Sequence, residues 1–130
     1  MRYLGIDYGK KRIGLALSDE EGRLAFPHKT ITNSDTSSVA KEVGKIAKKE
    51  GVSKIIIGLP ITFGGKESEQ TKKVKEFGMS LKKLLQLPVE YGNEVLSTKM
   101  AERSGSSKKN IDTASAAIIL QSYLDKEKSK

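Results

Sequence analysis

Hydrophobic and polar residues alternate along the first thirty residues of the chain. Three stretches follow this two-residue period: residues 1–7, 12–18 and 23–31. The first places Leu4 and Ile6 on one face and Asp7 on the other, and the second leaves the small Gly14 on a face that another element can approach closely. The period predicts an antiparallel meander of three strands, with Pro27 marking the third as an edge strand.

The period changes to that of a helix after residue 33. Ser34 and Asp35 are candidate N-caps and Gly51 is a typical stop. The apolar positions between them recur at helical spacing: Val39, Val43, Ile46 and Ala47. A second, lysine-rich helix is predicted over residues 71–85. Its expected inward-facing residues are Val74, Phe77, Leu81, Leu84 and Leu85.

The run KIIIGLP (residues 54–60) is continuously apolar and has the length of a strand. This pattern is typical of a parallel strand that is covered on both faces. The remaining predicted elements are a loop at 61–70, a strand at 88–91, a short helix capped by Ser97 or Thr98 and ending by Gly105, and a final helix over 111–125 capped by Asn110. The order βββαβαβαα predicts an α/β domain with one mixed sheet and helices on its faces.

Composition and charge narrow the class of protein. The 130 residues suit a single domain, residues 1–130. A net charge of +8 favours a polyanionic partner such as nucleic acid, although solvated lysine-rich helix faces are the alternative explanation. With no cysteine, there is neither a disulfide framework nor a thiolate metal site. No apolar stretch approaches the roughly 20 residues of a membrane span, and no signal peptide is recognisable, so we expect a cytoplasmic protein without a membrane partner.

Three carboxylates from distant parts of the chain are candidates for one site. Asp7 ends the first strand, Glu94 follows the last, and Asp112 is predicted in the first turn of the final helix. Ligands of open α/β sheets bind beyond the carboxyl ends of the strands, where Asp7 is expected. Carboxylates without a suitable His or Cys form an oxygen-ligand site, which suits Mg²⁺ or Mn²⁺ better than zinc.

Each candidate also has a structural explanation. An aspartate near a helix N-terminus, such as Asp112, gains about 0.3–1 kcal/mol from the helix dipole in any protein. Glu94 suits an exposed loop, and Asp7 could pair with Arg12 across the hairpin. The stretch GLPITFGG (residues 58–65) could bring backbone N–H groups to a phosphate, or could simply be a flexible connection. Two further polar residues are predicted to be structural: Asp19 in a turn and His28 on the surface.

Four motifs together resemble a known family. The stretches LGIDYGKKRIGLALSD, IIIGLP, EVLST and NIDTASAAIIL are similar to those of the YqgF family, provisionally named pre-16S rRNA nucleases and earlier described as Holliday-junction-resolvase-like. The resemblance covers nearly the whole chain. It implies an RNase H-like fold, in which a five-stranded mixed sheet with its first three strands antiparallel is flanked by helices. It also implies that Asp7, Glu94 and Asp112 are the catalytic carboxylates and the ligands of Mg²⁺ or Mn²⁺.

The chain departs from the family pattern at two places. The family usually has Asp-Glu-Arg before Leu-Ser-Thr, whereas this chain has Asn93, Glu94 and Val95. We expect the amide at position 93 to weaken metal binding and the missing arginine to weaken contact with a substrate phosphate. After GLP, the usual Asn-Met-Asp-Gly-like stretch is replaced by residues 62–65, TFGG.

The leading hypothesis is a metal-dependent endonuclease that acts on structured nucleic acid. The resemblance favours processing of the 5′ end of pre-16S rRNA during ribosome biogenesis, with pre-rRNA and ribosomal precursor particles as partners. The residues expected to take backbone phosphates are Lys10, Lys11, Arg12, Lys108 and Lys109.

Three alternatives remain open at this point. The chain could bind nucleic acid without cutting it, as a ribosome-assembly factor, or could resolve Holliday junctions in branched DNA. The stretch GIDYG also resembles the phosphate loop of the actin and sugar-kinase fold, which would make the protein a nucleotide phosphotransferase. A test for metal-dependent cleavage distinguishes a nuclease from a non-catalytic binding protein. Comparison of RNA and branched DNA substrates tests for a junction resolvase, and ATP binding tests for a phosphotransferase.

Overall fold

The computed structural model of the protein describes residues 1–60, 68–93 and 108–128. Five strands form one mixed sheet: β1 (Arg2–Tyr8), β2 (Arg12–Ser18), β3 (Ala25–Thr32), β4 (Val52–Leu59) and β5 (Val89–Asn93). Their spatial order is β3-β2-β1-β4-β5. The pairs β1/β2 and β2/β3 are antiparallel, whereas β4 runs parallel to β1 and β5 parallel to β4. The predicted meander, the edge position of β3 and the parallel strand are therefore confirmed.

β3 begins two residues later than the predicted residue 23. The reason is the Asp19 carboxylate, which accepts hydrogen bonds from the backbone N–H of Arg23 at 2.7 Å and of Leu24 at 3.3 Å. These backbone hydrogen bonds hold the pKa of Asp19 below its usual value. Asp19 is therefore the turn residue that the sequence predicts, and His28 on β3 is exposed, as expected.

Helix α1 (Thr36–Glu50) has the boundaries that its caps predict. The Asp35 carboxylate accepts a hydrogen bond from the Ser38 backbone N–H at 2.9 Å, which satisfies one free donor of the first turn. Gly51 ends the helix at a φ of +66°, a conformation that favours glycine. The predicted apolar positions of α1 face the sheet.

Helix α2 (Glu69–Leu85) packs beside α1 on the same face of the sheet. It begins two residues before the predicted position, because the Ser68 hydroxyl caps it by accepting from the Thr71 backbone N–H at 3.1 Å. The buried residues include Val74, Phe77 and Leu81, as predicted. The inward placement of Leu84 is wrong. Its side chain is 53% exposed, since it lies at the rim of a shallow groove between α1 and α2.

Helix α3 (Lys108–Lys128) covers the opposite face of the sheet. Its buried residues pack against Ala16 of β2 and Ile56 of β4: Ala116, Ile119, Leu120 and Leu124. The helix begins before Asn110, so the prediction of Asn110 as its N-cap is wrong, and Asp112 lies in the second turn rather than the first. The predicted short helix ending by Gly105 falls outside the described residues. None of the helices in the described part of the chain is long and apolar enough to cross a membrane.

Candidate active site at the carboxyl end of β1

Strand alternation places Asp7 on the face of the sheet that α3 covers. Leu4 and Ile6 point into the core beneath α1 and α2. Gly5 faces the other way, since a Cβ atom added to it would lie 2.7 Å from Leu120 Cβ of α3. Asp7 therefore lies on the α3 face too, near the end of β1, where it is half-buried.

Gly14 brings α3 close to Asp7. Its Cα lies directly opposite that of Asp7 in the antiparallel pair of β1 and β2. A Cβ atom added to Gly14 would lie 2.0 Å from the Asp112 carbonyl oxygen and 3.0 Å from Asp112 Cβ. Only glycine allows the backbone of α3 to come this near the sheet. The expected close approach at Gly14 is confirmed, and it sets Asp112 beside the strand position of Asp7.

An ion pair fixes the side chain of Asp112. Arg12, the first residue of β2, donates from Nε to Asp112 Oδ2 at 2.8 Å. The Arg12 side chain is 52% exposed, whereas that of Asp112 is 21% exposed. Arg12 was expected to contact phosphate or to pair with Asp7, but in the structure it joins Asp112. Half of the Arg12 side chain is open to solvent, so a substrate can approach it.

The donor atoms at this end of the sheet fit a hard divalent cation. Asp7 and Asp112 supply carboxylate oxygens, which Mg²⁺ and Mn²⁺ prefer. Glu94, the third predicted ligand, directly follows β5 and lies outside the described residues. Within residues 1–60, 68–93 and 108–128, no three carboxylate or imidazole groups cluster closely enough to hold a metal ion.

Two of the predicted phosphate-binding lysines lie at the tip of the β1–β2 hairpin. Lys10 and Lys11 are both exposed there. Asn33 holds the tip, because its side-chain amide donates to the Gly9 carbonyl at 2.8 Å and its backbone N–H donates to the Lys11 carbonyl at 2.8 Å. The backbone of Lys108 and Lys109 forms the start of α3, four and three residues before Asp112, and their side chains lie outside the described part of the structure.

A second charged cluster, which sequence reasoning missed, lies nearer the other end of the strands. Lys54 of β4 donates to the Tyr123 hydroxyl at 2.8 Å and forms an ion pair with Glu90 of β5 at 3.0 Å, and the Tyr123 hydroxyl in turn donates to Glu90. Burial alone would lower the pKa of Lys54, but these hydrogen bonds raise it to about 12. The register pairs Lys54 with Tyr3, four residues before Asp7, so this cluster stabilises the α3 face away from the carboxylates.

Comparison with known proteins identifies the family. A family model described as RuvX, Holliday junction resolvase, matches residues 1–126. The chain belongs to the RuvX family. The resemblance carried by the four sequence motifs is thereby confirmed. A relative from Caldanaerobacter subterraneus subsp. tengcongensis is 40% identical, with 99% of each chain covered. Another, from Maridesulfovibrio salexigens, is 36% identical, with 95% of this chain and 98% of the relative covered. Both carry the provisional name pre-16S rRNA nuclease.

Solved structures share the fold of this RuvX protein. Thermus thermophilus RuvC in complex with a Holliday junction substrate superposes with a TM-score of 0.65 at 16% identity, covering 98% of this chain and 96% of RuvC. The fowlpox virus resolvase bound to Holliday junction DNA gives a TM-score of 0.58 at 15% identity, with 98% and 99% covered. At these identities the likeness establishes the fold, and the expected RNase H-like architecture is confirmed.

Proposed function

We propose that this RuvX protein is a metal-dependent endonuclease that cuts structured nucleic acid, with pre-16S rRNA in ribosomal precursor particles as its substrate. One observation supports the proposal most directly: α3 approaches Gly14 so closely that Asp112 lies beside the strand position opposite Asp7, at the carboxyl end of β1. The names of the relatives and the family description support a nuclease. The cytoplasmic location expected from the sequence is part of the same proposal.

The metal ligands in this proposal are Asp7 and Asp112, with Glu94 as the third. A bound Mg²⁺ or Mn²⁺ would activate a water for attack on the phosphodiester and stabilise charge on the leaving oxygen. The carboxylates are the catalytic residues, because they would hold the reacting groups in place. The ion pair with Arg12 holds the Asp112 side chain, and the packing of α3 on Gly14 limits movement of the backbone that carries it.

The cations around the carboxylates have two roles. Arg12 positions Asp112 through Nε and, being half exposed, can offer its remaining N–H groups to a substrate phosphate. Lys10 and Lys11 stand on the hairpin next to Asp7, and Lys108 and Lys109 begin the helix that carries Asp112. All four would bind backbone phosphates regardless of base sequence.

A cleavage assay tests the proposal. The purified protein is incubated with Mg²⁺ or Mn²⁺ and a pre-16S rRNA fragment, beside the Asp7→Asn and Asp112→Asn variants. Asp125→Asn is the matched control, since Asp125 lies on α3 but near its far end. We expect cleavage by the native chain and by the control, and none by the other two variants. Full activity of Asp7→Asn would contradict the mechanism.

Branched DNA is the second candidate substrate. The family description and the two Holliday junction complexes of the same fold favour it. A four-way DNA junction in the same assay distinguishes the two substrates by their kcat/KM. Binding of either substrate without any metal-dependent cleavage would instead identify a non-catalytic assembly factor.

A further inference from the structure

A polar cavity lies just around the end of β1 from the carboxylates. Its volume is about 650 Å³, within the range of small-ligand sites. Tyr8 and Lys10 line it from the end of β1, the segment before α1 lines it from a second side, and the middle of α2 closes the third. It belongs to the face of α1 and α2, whereas the carboxylates belong to the face of α3.

The cavity and the carboxylates are joined by a fixed stretch of backbone. Asp7 and Tyr8 are consecutive residues of β1 and point to opposite faces of the sheet. The Gln70 side chain donates to the Tyr8 carbonyl at 3.1 Å, and Asn33 binds the hairpin tip through the Gly9 carbonyl. A polynucleotide lying across the carboxylates would therefore reach the cavity by passing the hairpin tip.

An aromatic ring lines the cavity. The Tyr8 ring stacks on Phe77, with centroids 4.5 Å apart and planes inclined by 29°. Phe77 is buried at 2% exposure and its stacking restrains the Tyr8 ring, while Tyr8 itself is only half-buried. A fixed and partly exposed aromatic ring is a suitable surface on which a nucleic-acid base can stack.

The charges that face the cavity are balanced. Lys10 and Lys73 supply two cations, and Asp35 and Glu76 supply two carboxylates. The Asp35 carboxylate already accepts from the backbone N–H and hydroxyl of Ser38 at 2.9 and 2.8 Å. Balanced charge disfavours a free phosphate or a run of phosphates, and fits a ligand that is mostly base and sugar with one charge to neutralise.

We propose that this cavity binds an unpaired nucleotide of the substrate strand next to the cut. The base would stack on Tyr8, the phosphate would lie between Lys10 and Lys73, and hydroxyl groups of Ser34 and Ser80 would meet the sugar. The position of the cut rests on the proposed nuclease function, whereas binding of the nucleotide does not depend on cleavage.

Binding of a short oligonucleotide tests the cavity directly. The probe is a fluorescein-labelled single-stranded RNA of about eight nucleotides, and DNA of the same sequence is measured for comparison. All variants are made in the full chain with Asp7→Asn, and EDTA is added so that nothing is cut. Lys73→Ala should raise the Kd for the probe about 5-fold or more. The matched control is Lys72→Ala, because Lys72 is the neighbouring exposed lysine of α2 and does not line the cavity.

Tyr8 is tested with two substitutions. Tyr8→Leu should weaken binding about 5- to 150-fold, as expected for the loss of one stacked base, whereas Tyr8→Phe should preserve it. Circular dichroism establishes that both variants are folded. Equal Kd values for Lys73→Ala and Lys72→Ala, or displacement of the probe by millimolar inorganic phosphate, would overturn the proposal.

Cleavage kinetics separate this proposal from the nuclease function. On a substrate with a single-stranded extension beside the cut, Lys73→Ala should raise KM and leave kcat unchanged, and on a substrate without the extension it should change neither. If no variant or native chain cleaves but the probe still depends on Lys73 and Tyr8, the nuclease function fails and the nucleotide site stands. If the native chain cleaves its substrate but the Kd of the probe is unchanged by the Lys73 and Tyr8 substitutions, the nucleotide site is wrong and the nuclease function stands.

Discussion

Replacing Gly14 by alanine is the most direct test of how the carboxylates are assembled. The added Cβ would lie 2.0 Å from the carbonyl oxygen and 2.3 Å from the carbonyl carbon of Asp112. Both are backbone atoms of α3, so no side-chain rotation can relieve the contact. The start of α3 must instead move away from β2 by about 1.5 Å to restore ordinary van der Waals separation.

This displacement should reduce both stability and activity. Overpacking of this severity costs about 3 kcal/mol in the free energy of unfolding. Misplacement of a catalytic group by about 1 Å can lower the rate about 100-fold. We therefore expect Gly14→Ala to lose about 100-fold in kcat under conditions in which the variant is still folded, as urea unfolding would verify.

Gly5→Ala is the matched control for Gly14→Ala. Its Cβ would also press on α3, at 2.7 Å from Leu120 Cβ and 3.0 Å from the Ala116 carbonyl oxygen. This contact lies farther along α3 from Asp112. Gly5→Ala should therefore lower the free energy of unfolding by about 2 kcal/mol and leave kcat nearly unchanged. The reasoning is refuted if folded Gly14→Ala cleaves as fast as Gly5→Ala.

Three further predictions concern the titration of buried groups, phosphate contacts and metal binding. The pKa values of Lys54 and Tyr123 are raised in the folded protein, so at high pH the folded chain keeps protons that the unfolded chain releases. The free energy of unfolding should therefore fall as the pH rises above about 10. Urea titrations should show a smaller fall for Lys54→Met. The double variant Lys108→Ala, Lys109→Ala should bind a single-stranded nucleic acid with a weaker salt dependence. The magnitude of the slope of log K for binding against log salt concentration should fall by about 1.4. An unchanged slope would place the phosphate contacts elsewhere. Asn93→Asp should lower the metal concentration for half-maximal cleavage, and coincident titration curves for variant and native chain would contradict a role for position 93 in metal binding.

The sheet could be predicted from the sequence because its signals are local. Alternation along β1 and β2 and the apolar run of β4 each encode a strand, and the turn residues between them encode the connections. Element ends were less predictable where a side chain sets them. The Asp19 carboxylate delays β3, and the Ser68 hydroxyl starts α2 early.

The candidate site was only partly predictable, because its assembly depends on contacts between distant residues. Asp7 and Asp112 were recognisable as carboxylates in matching motifs, yet the pairing of Arg12 with Asp112 spans a hundred residues of sequence. The glycine at position 14 was the local signal that something packs closely there. The cavity at Tyr8 left no comparable signal, since its walls come from three separate segments.

The long separation between the two carboxylates also bears on when the protein acquires a site at all. A chain is synthesised and folds from its N-terminal end, and Asp7 belongs to β1, which is made before α3. Asp112 is made later, on α3, and comes beside β1 only when α3 docks over Gly14. If the two carboxylates act together as proposed, a nascent chain with its sheet already formed would be unable to cleave nucleic acid until α3 docks.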